Sequence, residues 1–134
     1  MQPESAHFGE VARLLGYRLT PQASGFALTL YWQAEQPDGV DYTVFVHLLG
    51  QEGQLVSGQD NQPVRGSYPT GIWEPGEVIP DEYGLDTSDL PPGEYRIEIG
   101  LYVLATGERL PTYRPDGTQD PARHVLLTTP IQVP

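Results

Sequence analysis

Between Gly25 and Gln33 the chain alternates: Phe26, Leu28, Leu30 and Trp32 fall on one side, and Ala27, Thr29, Tyr31 and Gln33 on the other. A period of two is the mark of a strand that turns one face to a core. The same period returns in Tyr95–Leu104, where Tyr95, Ile97, Ile99, Leu101 and Val103 alternate with Arg96, Glu98, Gly100, Tyr102 and Leu104. In Tyr42–Leu49 both alternating sets are largely apolar, which predicts a strand well inside a sheet. Upstream, Phe8, Val11, Leu14, Leu15, Tyr17 and Leu19 also fit helical spacing, but Gly9 and Gly16 interrupt them and Thr20-Pro21 supplies a turn signal. A strand over Phe8–Leu19 is therefore expected.

Turn chemistry separates these runs. Glu35-Gln36-Pro37-Asp38-Gly39 contains an Asp-Gly pair suited to positive φ, Gln51-Glu52-Gly53 leads into a short strand around Leu55-Val56-Ser57, and Leu90-Pro91-Pro92-Gly93 precedes Tyr95. Glu77–Leu85 has strand character with Pro80 placing part of it at a sheet edge, and His124–Val133 is expected as a closing strand. After Thr106-Gly107-Glu108 comes a return arm, Arg109-Leu110-Pro111, and then a polar loop, Tyr113–Arg123. Gln59 to Gly76 is a long loop by composition, and loops of that length in compact domains are commonly functional. Eight or nine short strands with no amphipathic helix and no internal repeat predict an all-β fold. The expected architecture is a two-sheet antiparallel β-sandwich, Ig-like or jelly-roll, with residues 1–134 forming one domain.

Composition narrows function mainly by exclusion. The 134 residues carry 18 acidic and 7 basic side chains, a net charge of −11, so a phosphate backbone is a poor partner and no nucleic-acid role is expected. Every basic residue is Arg. With no Lys there is no Schiff base and no phosphate-loop lysine, and with no Cys there is no disulfide, thiolate metal site or thiol nucleophile. No apolar run is long enough to span a bilayer, so direct membrane insertion is not expected, and Met1-Gln2-Pro3-Glu4-Ser5 lacks the features of an export signal.

Several segments carry a resemblance: Leu30-Tyr31-Trp32-Gln33-Ala34, Tyr42-Thr43-Val44-Phe45-Val46, Tyr68-Pro69-Thr70, Trp73-Glu74-Pro75-Gly76-Glu77-Val78-Ile79-Pro80-Asp81-Glu82-Tyr83, Pro91-Pro92-Gly93-Glu94-Tyr95, Gly100-Leu101-Tyr102 and Thr106-Gly107-Glu108-Arg109-Leu110. Together they resemble the C-terminal soluble β-sandwich domains of multi-span bacterial membrane glycosyltransferases of the protein-mannosyltransferase-like type. The resemblance implies a sandwich at the extracytoplasmic face of the cell membrane, excised from a longer protein whose membrane part holds the catalysis. On that view the partners are a glycan or the membrane-embedded part of the same protein, and no catalytic residue is carried over.

The residues themselves offer little chemistry. Gly66-Ser67-Tyr68 does not match a nucleophile elbow, and His7, His47 and His124 lack a metal-ligand spacing. Asp60, Glu74, Asp81 and Glu82 flank the long loop and are the best members of a glycosidase-type carboxylate pair, the least favoured of three functional readings. Asp116-Gly117-Thr118-Gln119-Asp120 offers two carboxylates to calcium but lacks an EF-hand's repeated acids, and a solvated loop is the better expectation. No cofactor, metal or catalytic residue is assigned. The leading reading is a non-catalytic accessory domain that binds carbohydrate through Tyr68, Trp73 and Tyr83 beside Asp81 and Asp60, since aromatic rings stack on sugar C–H faces and carboxylates accept hydroxyl hydrogen bonds. Trp73 packed into one end of the sandwich competes with that site. A structural or protein-interaction module is the second reading, because aromatic side chains serve protein interfaces equally well.

Overall fold

Strand-forming alternation places one side of each long strand against a shared interior, and turns or crossovers then decide which sheet each strand joins. The computed structural model describes all residues, Met1–Pro134. Its strands are β1 (Gln2–Phe8), β2 (Ala12–Gln22), β3 (Gly25–Ala34), β4 (Thr43–Leu49), β5 (Leu55–Asn61), β6 (Val78–Asp86), β7 (Gly93–Tyr102), β8 (Thr112–Tyr113), β9 (Gln119–Asp120), β10 (Val125–Leu126) and β11 (Ile131–Val133). The only helical element is a single 3₁₀ turn, Thr70–Ile72. One sheet has six strands in the order β6-β3-β2-β1-β8-β9; the other has β10-β7-β4-β5, with β11 also pairing with β7. All pairings are antiparallel. The expected two-sheet antiparallel sandwich is what forms.

The interior is a single cluster of buried apolar side chains drawn from both sheets. Leu28, Leu30 and Trp32 of β3 meet Val44, Val46 and Leu48 of β4 and Ile97, Ile99 and Leu101 of β7, as their alternation predicts. Phe8 and Trp32 pack edge to face with ring centroids 5.3 Å apart, the geometry that aromatic quadrupoles favour. Pro80 lies on β6, the edge strand, where a missing N–H costs no ladder bond.

Several expectations change, and the loop expected from Gln59 opens only after β5 ends at Asn61. Phe8–Leu19 is two strands, because Gly9, at φ +55, turns the chain between β1 and β2. Thr20-Pro21 is no turn: β2 continues to Gln22 and Pro21 pairs with Phe26. His124–Val133 is two short strands against β7, separated by residues 127–130. Eleven strands replace eight or nine because two-residue bridges in the polar segment 112–126 are too short to show a period. The 35–42 connection crosses between sheets, as does the long segment 62–77 that leads back to β6.

Candidate functional site

The long loop is held from inside. Asp81 is completely buried on β6; its Oδ1 accepts from the Val64 backbone N–H at 2.8 Å, and its Oδ2 accepts from Tyr83 Oη at 2.6 Å and Trp32 Nε1 at 3.2 Å. Burial pushes this carboxyl above the ordinary carboxylate range, against the lowering effect of the three hydrogen bonds. The Val64 contact fixes an unusual backbone, since Val64, Arg65 and Gly66 are left-handed in succession, with φ of 56, 55 and 83. A β-branched residue pays steric strain there and persists only when its surroundings over-determine it.

Trp73 is 3% exposed and donates from Nε1 to the Tyr68 carbonyl at 2.9 Å; Tyr83 is also 3% exposed. Tyr68 is half-buried, with its hydroxyl donating to Glu77. The rings of Trp73 and Tyr83 are thus covered by core neighbours, and a sugar cannot stack on a face already covered. Asp60 lies on the exterior of the five-stranded sheet, with Oδ1 3.0 Å from His47 Nε2 and Oδ2 accepting from Tyr102 at 2.9 Å. The structure therefore brings Asp81 and Tyr83 together in the core and seats Tyr68 and Trp73 in the loop, while Asp60 joins a separate network. The groove beside the loop, about 440 Å³ and lined by Val64, Arg65, Ser67, Pro80 and Glu82, contains one carboxylate. Asp116 and Asp120 are occupied by their own turns, Asp116 by the Thr118 N–H and hydroxyl, Asp120 by the Ala122 N–H and Arg114. No group of three or more His, Asp and Glu side chains is arranged to hold a metal.

The network around Asp60 centres on Glu98. His47 Nδ1 lies 3.1 Å from Glu98, His124 Nδ1 closer still, and Arg109 3.3 Å away. Burial alone would raise Glu98, but the His124 hydrogen bond, the Arg109 charge and the His47 hydrogen bond hold it down at about 2. The Arg109 guanidinium also covers the Phe45 ring at 4.2 Å. That ring lies over Gly100, where a Cβ would come within 2.2 Å of it.

The exterior of the six-stranded sheet differs. Register aligns Gln33 of β3, Arg13 of β2, His7 of β1 and Tyr113 of β8 in one row, and directly paired residues share a face. Tyr31, two residues from Gln33 on the same strand, joins that face, as does Arg18 farther along β2. Six of the eight tyrosine hydroxyls, those of Tyr17, Tyr42, Tyr68, Tyr83, Tyr95 and Tyr102, are hydrogen-bonded within the chain. The two left over, Tyr31 and Tyr113, are both half-buried and both on this face. A groove of about 370 Å³ lined by His7, Glu35, Tyr113 and Arg114 adjoins this row, and a second, of about 260 Å³, is lined by Tyr113 and Arg114 together with Val125 and Leu126 of the other sheet. This row is the candidate site. Sequence reasoning passed over it, although Tyr31 carried a legible signal: an aromatic on the outward side of a clean alternation has no core to fill.

No family model matches the chain, and no curated protein matches it. A solved structure, the crystal structure of the C-terminal domain of wzt, superimposes with a TM-score of 0.59 at 15% identity, covering 98% of this chain and 86% of that one. The two share a fold. At that identity the likeness extends to the β-sandwich alone, and it supplies no link to the membrane glycosyltransferases that the sequence resembles.

Proposed function

We propose that the chain is a non-catalytic, carbohydrate-binding β-sandwich module, with its site on the exterior of the six-stranded sheet. The observation that carries this reading is the pair Tyr31 and Tyr113, the only tyrosines whose hydroxyls have no partner in the chain, facing solvent on one sheet. β3 and β8 are three strand spacings apart and Tyr31 lies two residues off the row of Tyr113, so their positions on the sheet are about 16 Å apart. That span suits an oligosaccharide laid across the strands rather than a single sugar. Between the rings, Arg13 has no partner in the chain, while His7 keeps Nε2 and Gln33 keeps Oε1 for hydroxyls after their bonds to Glu35 and Gly76. A hydrolytic role is disfavoured because Asp81 is enclosed by three donors and Asp60 is committed to His47 and Tyr102.

Titration of ¹⁵N-labelled protein with an oligosaccharide library tests the site. Shifts should concentrate on β1, β2, β3 and β8, and Tyr31→Ala or Tyr113→Ala should weaken binding at least tenfold with the fold retained. Shifts confined to the long loop would move the site back to Tyr68, and no shift with any saccharide would remove the function. Placement at the extracytoplasmic face of a membrane, as part of a longer protein, is a further part of the proposal supported by the sequence resemblance. Membrane-spanning helices upstream of Met1 in the full reading frame are the expected finding.

A further inference from the structure

We infer that the glycan taken by the six-stranded face is an anionic one, its negative group held by Arg13, with Arg18 about 13 Å farther along the same face; this rests on the carbohydrate reading above. The chain holds 18 acidic side chains for 7 arginines, so a carboxylate partner is abundant. Arg65, Arg109, Arg114 and Arg123 each have one within 4 Å. Arg96 has no carboxylate but donates to the Leu127 carbonyl. Arg13 and Arg18 have neither an ion pair nor a hydrogen bond, and they project from the same strand onto the same face. Arg13 is the more telling of the two. Its Nε is buried and unpartnered, so the guanidinium is seated in the surface rather than free in water. The Arg96 Nε is buried and unpartnered too, but there the Leu127 carbonyl accepts from Nη2, whereas the outer nitrogens of Arg13 have no acceptor in the chain and are the atoms open to a ligand.

Position agrees with charge. Arg13 lies directly opposite His7, which lies directly opposite Tyr113, and on its other side it is the diagonal neighbour of Tyr31. A sugar chain stacked on both rings would pass its middle over the guanidinium. The planar fork of Arg matches a uronate carboxylate or a sugar phosphate with two parallel hydrogen bonds, where neutral hydroxyls would use only part of it. The carboxylates nearest this row limit the site on one side: Glu35 is engaged by His7 at 2.7 Å, and Glu10 and Glu35 line the groove beyond it.

The test is an array of microbial polysaccharides in three arms: uronate-bearing repeats, the same repeats after carboxyl reduction, and phosphate-bearing repeats. Binding is expected in the uronate or the phosphate arm, which identifies the anion, and carboxyl reduction should abolish binding to a uronate ligand. Arg13→Gln should weaken binding to the charged ligand at least tenfold, and Arg18→Gln by a smaller factor, with both variants melting as the parent does. Equal binding to charged and carboxyl-reduced repeats, lost in Tyr113→Ala but kept in Arg13→Gln, would overturn the anionic ligand and leave the carbohydrate reading standing. Absence of binding in all three arms would overturn both.

Discussion

The two exteriors of the sandwich use similar residues to opposite ends. On the five-stranded sheet, His47, Asp60, Glu98, Tyr102, Arg109 and His124 close on one another, and Arg109 caps Phe45. On the six-stranded sheet, Tyr31, Arg13, Arg18 and Tyr113 have no polar partner in the chain. Polar and aromatic content alone does not separate a structural face from a binding face. What separates them is whether each donor and acceptor has already been satisfied by the fold.

On the proposed function, substitutions on the first face should cost stability and spare binding, with the reverse on the second. The largest expected effect is Glu98→Ala, which strips the acceptor from His47, His124 and Arg109 and should lower unfolding free energy by about 3 kcal/mol in urea titrations. A loss below the measurement error would mean that the network is solvated decoration. Next is Gly100→Ala, where the new methyl meets the Phe45 ring and overpacking should cost about 2 kcal/mol. If thermal melts show no change, Phe45 is free to leave its seat and the face is softer than its contacts imply.

Acid sharpens the same contrast. Because Glu98 is held at about 2 rather than its ordinary 4.5, its contribution is complete above the ordinary value and is lost as pH falls from there toward 2. Stability curves of the parent and of Glu98→Gln should converge over that window, and parallel curves would break the assignment. The smallest effects belong to the other face. Tyr31→Phe and Tyr113→Phe remove hydroxyls with no partner and should change stability by less than about 0.5 kcal/mol, whereas Tyr102→Phe, which loses the bond to Asp60, should cost about 1 kcal/mol.

Much of the fold was legible because long strands announce themselves. Phe26–Gln33 and Tyr95–Leu104 alternate over enough residues to mark strands, and they became β3 (Gly25–Ala34) and β7, which ends at Tyr102 and is buried on both faces around Glu98 and Gly100. The parts that misled depend on partners distant in sequence. Gly9 turns the chain although it falls between apolar Phe8 and Val11, and β8 and β10 exist only because β1 and β7 offer them edges, as β9 does because β8 offers one. The two rings expected at a sugar site, Trp73 and Tyr83, are covered for a related reason. Trp73 sits in a segment rich in Pro, Gly and acids, where packing into the sandwich competed with exposure, and no spacing rule reveals that it finds the Tyr68 carbonyl; Tyr83 shares a strand face with Asp81, and only the pairing of β6 with β3 brings that face into the core. Tyr31 could have been chosen from its parity alone; Tyr113 could not, since a two-residue strand has no parity to read.

The buried Asp81 sets an order of assembly. Its partners, Val64, Trp32 and Tyr83, come from the long segment, from β3 and from its own strand, so the left-handed turn at Val64 has no anchor until β3 and β6 have zipped together. The segment 62–77 should then be the last part of the chain to become ordered during refolding and the first to loosen on warming. The Val64 amide proton is the reporter: its protection against exchange should arrive after that of Leu28 and Leu30, and Asp81→Asn should shorten its lifetime more than theirs.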